Sequence, residues 1–107
     1  MLAANFFTAA TPSAAYPVAP VLPRLERGKV LIYSTPGCFF CGKAKSYMKR
    51  NGISYREIDI TSSATAQREF FAYGGKGVPL IMVGTRSGTQ RLHGFNETLF
   101  KSIYASR

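Results

Sequence analysis

The sequence predicts an α/β domain in which a four-stranded mixed β-sheet is flanked by three helices, in the order β-α-β-α-β-β-α. Three observations carry that reading. Short apolar runs alternate with stretches of helical period. Glycine and proline clusters stand at the boundaries between them. The first strand, helix and second strand follow one another within about 30 residues, the spacing of a βαβ unit, whose two strands run parallel.

The elements begin after a segment of different composition. Residues 1–23 contain no Lys, Arg, Asp or Glu, but seven Ala and four of the six Pro (Pro12, Pro17, Pro20, Pro23). Prolines so closely spaced exclude a regular helix or a central strand. Residues 1–27 therefore read as a disordered Ala/Pro-rich leader, and 28–107 as the folded domain. The leader lacks the basic start and unbroken apolar run of a signal peptide, and it is not an Arg-rich transit peptide. No apolar run approaches the ~20 residues that span a membrane.

From Lys29 the pattern is regular. Val30-Leu31-Ile32-Tyr33 is a continuous apolar run, as in a strand buried on both faces. Ser34-Thr35-Pro36-Gly37 breaks it. A helix is expected from Cys38 to Asn51, with Phe40, Ala44, Tyr47 and Met48 on one face and Lys43, Lys45, Lys49 and Arg50 on the others. Gly52 suits its C-terminus. Tyr55 to Ile60 alternates as a second strand. A second helix, from Ser62 or Ser63 to Gly74-Gly75, turns Ala66, Phe70 and Tyr73 inward. Leu80-Ile81-Met82-Val83 is another buried strand, Gly84–Gly88 a turn, and Thr89–His93 a fourth strand closing an antiparallel hairpin. Asn96 caps a last helix with Leu99, Phe100, Ile103 and Tyr104 as its apolar face.

The inventory of the 107 residues narrows the chemistry. They are 46% apolar and 18% charged, enough for one packed domain. Two cysteines and one histidine are too few for a four-ligand zinc site of cysteine and histidine within one chain, or for a disulfide scaffold. The net charge is +9, and residues 28–107 hold 12 basic against 4 acidic residues. Such a surface attracts anionic partners. There is no zinc-finger, homeodomain or RNA-recognition signature, so nucleic acid is not expected as a partner. His93, at the end of the last strand, is expected to be a surface or structural residue.

Cys38-Phe39-Phe40-Cys41 stands where the first strand gives way to the first helix. Half of a zinc site would lack its other half. A haem attachment would need His where Gly42 stands. An inert pair would leave both spacing and position to coincidence. A redox dithiol accounts for both. A thiol attacks a disulfide as its thiolate. Free N–H groups and the positive dipole end at a helix N-terminus stabilise that anion. Cys38 would sit there, with its pKa lowered from about 8.5 and with Lys43 and Lys45 adding positive potential. Cys41, almost a turn further in, would be shielded and close enough to bridge. Gly77-Val78-Pro79 precedes the third strand. It reads either as a strand-initiating turn or as a cis-proline loop beside the dithiol, whose Val78 backbone pairs with an extended substrate.

Together Cys38-Phe39-Phe40-Cys41, Gly77-Val78-Pro79 and Gly94-Phe95-Asn96 resemble the glutaredoxin branch of the thioredoxin-like fold, over residues 29–104. The resemblance implies Cys38 as nucleophile, Cys41 as resolver, and Val78 with a cis Pro79 holding the cysteinyl part of glutathione. Lys76 matches a basic position used for the glycine carboxylate. Three positions and one segment depart from the family pattern. Phe39 replaces a proline, and Phe40 replaces a tyrosine but can still pack against a ligand. Thr35 stands where many members carry Lys. Gly94-Phe95-Asn96-Glu97-Thr98 replaces the Gly-Gly-x-Asp-Asp segment that grips the γ-glutamyl end. Gly94-Phe95 is similar instead to small redoxins that supply ribonucleotide reductase and are recharged by thioredoxin reductase.

The expectation is a monomeric cytoplasmic thiol–disulfide oxidoreductase. Its substrates would be protein disulfides or glutathione mixed disulfides, and its electrons would come from glutathione, as co-substrate, or from thioredoxin reductase. No bound metal is expected. The family's alternative is an iron–sulfur cluster shared between two chains through Cys38 thiolates.

Overall fold

Each change of period in the sequence becomes a change of element. The computed structural model describes residues 22–107. Its elements are β1 (Val30–Ser34), α1 (Phe39–Arg50), β2 (Arg56–Asp59), α2 (Ala64–Ala72), β3 (Leu80–Thr85), β4 (Gly88–His93) and α3 (Glu97–Ala105). The sheet order is β2-β1-β3-β4. β1 runs parallel to β2, with Ile32 opposite Glu57, and antiparallel to β3, with Ile32 opposite Ile81. β3 and β4 form the expected hairpin, with Leu80 opposite His93. Its strands run on to Thr85 and Gly88, so the turn is shorter than the 84–88 stretch the sequence suggested.

The core lies in two layers because the central strands are apolar on both faces. On one face Val30, Ile32, Ile81, Val83 and Leu92 meet Ala44, Tyr47 and Met48 of α1 and Phe100 of α3. On the other, Tyr33, Leu80 and Met82 meet Phe70 of α2. Burial pushes the Tyr33 hydroxyl up to about 12, reinforced by the nearby Glu69 carboxylate, so Tyr33 stays neutral at physiological pH.

Two side chains assigned to helix cores are turned outward. The buried stripe of α1 runs through Cys41, Ala44, Tyr47 and Met48, and Phe40 is 53% exposed. A helix turns 100° per residue, so seating Cys41 inside rotates Phe40 toward solvent. Leu99 of α3 is likewise 48% exposed while Phe100 is fully buried. At its far end α1 closes with a Schellman motif. Ile53 N donates to the Met48 carbonyl at 2.8 Å, and Gly52 N donates to the Lys49 carbonyl at 3.3 Å. Gly52 takes the required positive φ of 67°.

The leader boundary also shifts. Residues 1–21 lie outside the described residues, but 22–27, read as part of the disordered leader, are packed on the sheet without regular structure. Leu22 and Leu25 pack against the Tyr33–Phe70 layer. Leu25 N donates to Thr89 Oγ1 at 3.2 Å, and Thr89 Oγ1 donates to the Pro23 carbonyl at 2.6 Å. Composition registered the proline and not the two leucines, whose burial offsets the cost of ordering the segment. The segment crosses β3 at Gly84, where a Cβ would strike the Leu25 and Glu26 carbonyls.

Gly84→Ala is therefore expected to lower stability by about 1–3 kcal/mol. It should also loosen the backbone at Arg24 and Arg27, whose side chains are already exposed, and speed cleavage there by trypsin. Denaturant titration and limited proteolysis check this; unchanged cleavage would mean that the 22–27 segment does not depend on the Gly84 crossing.

Candidate active site

The turn from Ser34 to Cys38 brings the chain off the end of β1 and into α1. Cys38 N donates to the Thr35 carbonyl at 3.3 Å, closing the turn. Cys38 is the N-cap of α1, with extended backbone (φ −80°, ψ 114°). Its Sγ accepts a hydrogen bond from Cys41 N at 3.2 Å. The sulfur thus occupies the place of a capping side-chain oxygen, against one of the helix's unpaired N–H groups. No acidic residue stands in the first turn to oppose a negative charge there.

Cys38 and Cys41 are joined as a disulfide, with Cα atoms 5.2 Å apart, within the range that bridging requires. Their environments differ. Cys38 is partly exposed, whereas Cys41 is 1% exposed beneath it. The Val78–Pro79 bond is cis, as the resemblance implies. Pro79 is buried, and its carbonyl accepts from Gly94 N at 2.8 Å. That bond ties the proline loop to the turn before α3.

The charges around the dithiol are arranged differently from the sequence expectation. Lys45 does not face Cys38 as a free cation. Its Nζ lies 2.8 Å from Glu57 Oε2, in the one ion pair among the described residues. Ser34 Oγ donates to the same oxygen at 2.7 Å. The Lys45 and Ser34 hydrogen bonds hold the Glu57 carboxyl below its ordinary pKa. This trio shares a small cavity, about 160 Å³, with Thr35, Cys38 and Cys41. Lys43 has no carboxylate partner among the described residues, and its Nζ lies 5.6 Å from the centre of the Phe39 ring.

A second, larger cavity of about 450 Å³ lies on the other side of Cys38, between α1 and the start of α3. It includes Phe39 and Phe95. Of the residues proposed from sequence, Thr35 and Phe95 thus share a cavity with Cys38. Phe40 stands exposed beside it, its ring 5.2 Å from that of Phe39. Lys76, Val78, Pro79, Gly94 and Asn96 line neither cavity. Val78 packs against the Tyr33 layer, and Lys76 is exposed. Asn96 caps α3, its Oδ1 accepting from Leu99 N at 2.9 Å. His93 is exposed, away from both cavities. Sequence reasoning missed Ser34 and Glu57. The available signal was the βαβ register, which sets the acidic side chain of β2 beside the end of β1. No group of three or more potential metal ligands occurs among the described residues, and none of their helices is long and apolar enough to cross a membrane.

The sequence pattern of the glutaredoxin family matches residues 30–87, from β1 through both the cysteine pair and the cis-proline loop. The chain belongs to the glutaredoxin family. The match stops before Gly94-Phe95-Asn96. A glutaredoxin-like 8.6 kDa protein of Clostridium pasteurianum is 31% identical over 55 residues, 50% of this chain and 73% of that protein. The hybrid peroxiredoxin hyPrx5 of Haemophilus influenzae is 34% identical over 55 residues, 51% of this chain but only 23% of that larger protein. Among solved structures, the NrdH-redoxin of Escherichia coli aligns with a TM-score of 0.61 at 20% identity, over 70% of this chain and 93% of that one. That likeness establishes the thioredoxin-like fold.

Removing the Glu57 charge leaves Lys45 unpaired beside the dithiol. Glu57→Gln is therefore expected to lower the Cys38 thiol pKa in the reduced protein by a few tenths of a unit. Thiolate absorbance followed against pH checks this. A rise instead would mean that the Lys45–Glu57 pair supports the thiolate as a unit.

Proposed function

We propose that this glutaredoxin-family chain is a thiol–disulfide oxidoreductase in which Cys38 is the nucleophile and Cys41 the resolver. The observation that carries the reading is the Cys38 sulfur held as the N-cap of α1, partly open to solvent, over a buried Cys41. In the reduced protein the same N–H and helix dipole favour the thiolate. That thiolate attacks one sulfur of a substrate disulfide, and the other sulfur leaves and takes up a proton. Cys41 then gives up its proton and attacks the Cys38 sulfur of the mixed disulfide, releasing the second substrate thiol. Two electrons have passed to the substrate, and Cys38–Cys41 is the bonded pair seen here. Two further thiols, or a reductase, return the electrons. Net reduction of substrate disulfides draws on a supply of electrons, so this reading goes with a reducing compartment such as the cytoplasm.

Protein disulfides and glutathione mixed disulfides are the substrates this reading takes first. For glutathione, the Val78 backbone beside cis Pro79 would pair with the cysteinyl part, Lys76 would meet the glycine carboxylate, and Phe40 would pack on the ligand. The N–H groups around Gly94 and Phe95 at the start of α3 would meet the γ-glutamyl carboxylate. Two observations favour a second reading, in which thioredoxin reductase is the donor and ribonucleotide reductase the acceptor. Thr35 is uncharged, and the Asn96 side chain is spent on Leu99 N, so two positions that would grip glutathione supply little.

Coupled assays decide between these. NADPH oxidation supported by glutathione with glutathione reductase is expected on the first reading; support only from thioredoxin reductase would establish the second. Under either, Cys38→Ser is expected to abolish exchange. Cys41→Ser should lose protein-disulfide reduction but keep turnover of small glutathione mixed disulfides. Equal loss in both assays would show that no monothiol route exists.

A further inference from the structure

α1 carries Lys43, Lys45, Lys49 and Arg50 and no acidic residue. Like charges along one helix repel, and here a single carboxylate, Glu57, answers one of the four. Lys43 and Arg50 have no carboxylate within ion-pair distance among the described residues, and both border the 450 Å³ trough between α1 and α3. Its apolar surface comes from the partly buried Phe95, whose ring packs 5.8 Å from that of the buried Tyr47, and from Phe39, which is 70% exposed at the Cys38 end. The trough therefore joins three things: a reactive sulfur, an aromatic surface, and a rim with two unanswered cations. Its volume is that of an ordinary ligand cleft.

We propose that this trough docks an acidic, aromatic-bearing segment of a disulfide protein substrate, lying next to the cystine that Cys38 attacks. The proposal rests on the exchange reading above and names its partner. An apolar side chain of the segment covers Phe39 and Phe95, and its carboxylates meet Lys43 and Arg50. Glu97, also on the trough, leaves an acceptor for the segment's backbone N–H groups. A second copy of this chain is disfavoured as occupant by its own net charge of +9.

The test is binding of the full oxidised chain to fluorescein-labelled, cysteine-free heptapeptides, read by anisotropy. One is built of Asp, Glu and two Phe. In the second Lys replaces every acid, and in the third Ser replaces both Phe. A single-stranded oligonucleotide is the fourth probe. The acidic aromatic peptide is expected to bind about tenfold tighter than either variant peptide, and more weakly as salt rises. Arg50→Glu should reverse the preference between acidic and lysine peptides, and Arg50→Gln should weaken it. Equal binding of the three peptides, tighter binding of the oligonucleotide, or an unchanged preference in both Arg50 variants overturns the proposal. So does a dimer on gel filtration that excludes the peptide. Turnover of bis(2-hydroxyethyl) disulfide is measured in parallel and is expected to be unchanged in Arg50→Glu. Turnover without peptide preference removes the docking site alone. Preference without turnover removes the exchange reading and leaves the docking site standing.

Discussion

The Cys41 N–H to Cys38 Sγ hydrogen bond is the contact on which the rest of the site depends. It makes a sulfur the N-cap of a 12-residue helix. Serine or asparagine in that place would satisfy the helix end and do nothing more; a cysteine satisfies it best as an anion. The same geometry sets the second sulfur one turn inside, buried, and within bridging distance. Helix termination and redox chemistry are thus one arrangement seen from two sides.

The fold exists, in this respect, to fix the start of α1. β1 is central and its residues from Ile32 to Ser34 are buried, so the chain leaves the sheet from a rigid edge. Tyr47 and Met48 anchor the helix on the sheet through the layer that also holds Phe100. The Schellman motif ends the helix beyond them. On the opposite side of the dithiol, the Gly94 N–H to Pro79 carbonyl bond ties the cis-proline loop to the turn before α3. The charges are then distributed unevenly. Lys45 is answered by Glu57 on the small-cavity side, while Lys43 and Arg50 stand open on the trough side. Of the α1 cations that border the two cavities, the one on the small-cavity side is thus paired and the two on the trough side are not.

Much of this was legible in the sequence because it is local. The change from apolar runs to helical period, the Asn96 cap, and the position of the cysteine pair all depend on neighbours within a few residues. What escaped was set by distant partners. Glu57 reaches Ser34 and Lys45 only because β2 lies parallel to β1 in a particular register. Periodicity put Phe40 and Leu99 on apolar faces, but it cannot say where the covering layer ends. The 22–27 segment is held by Thr89, more than sixty residues away, and by a glycine that lets the backbone pass. The trough joins α1 to the turn before α3, so no window of sequence contains it.

The most direct measurement of the central claim is the pKa of the Cys38 thiol in the reduced protein, from thiolate absorbance or from the pH dependence of alkylation. A capping sulfur on a helix without first-turn acids should titrate well below the ~8.5 of a free cysteine, near or below neutrality. A value at or above 8.5 would contradict the account, because the helix N-terminus would then be giving the anion no support.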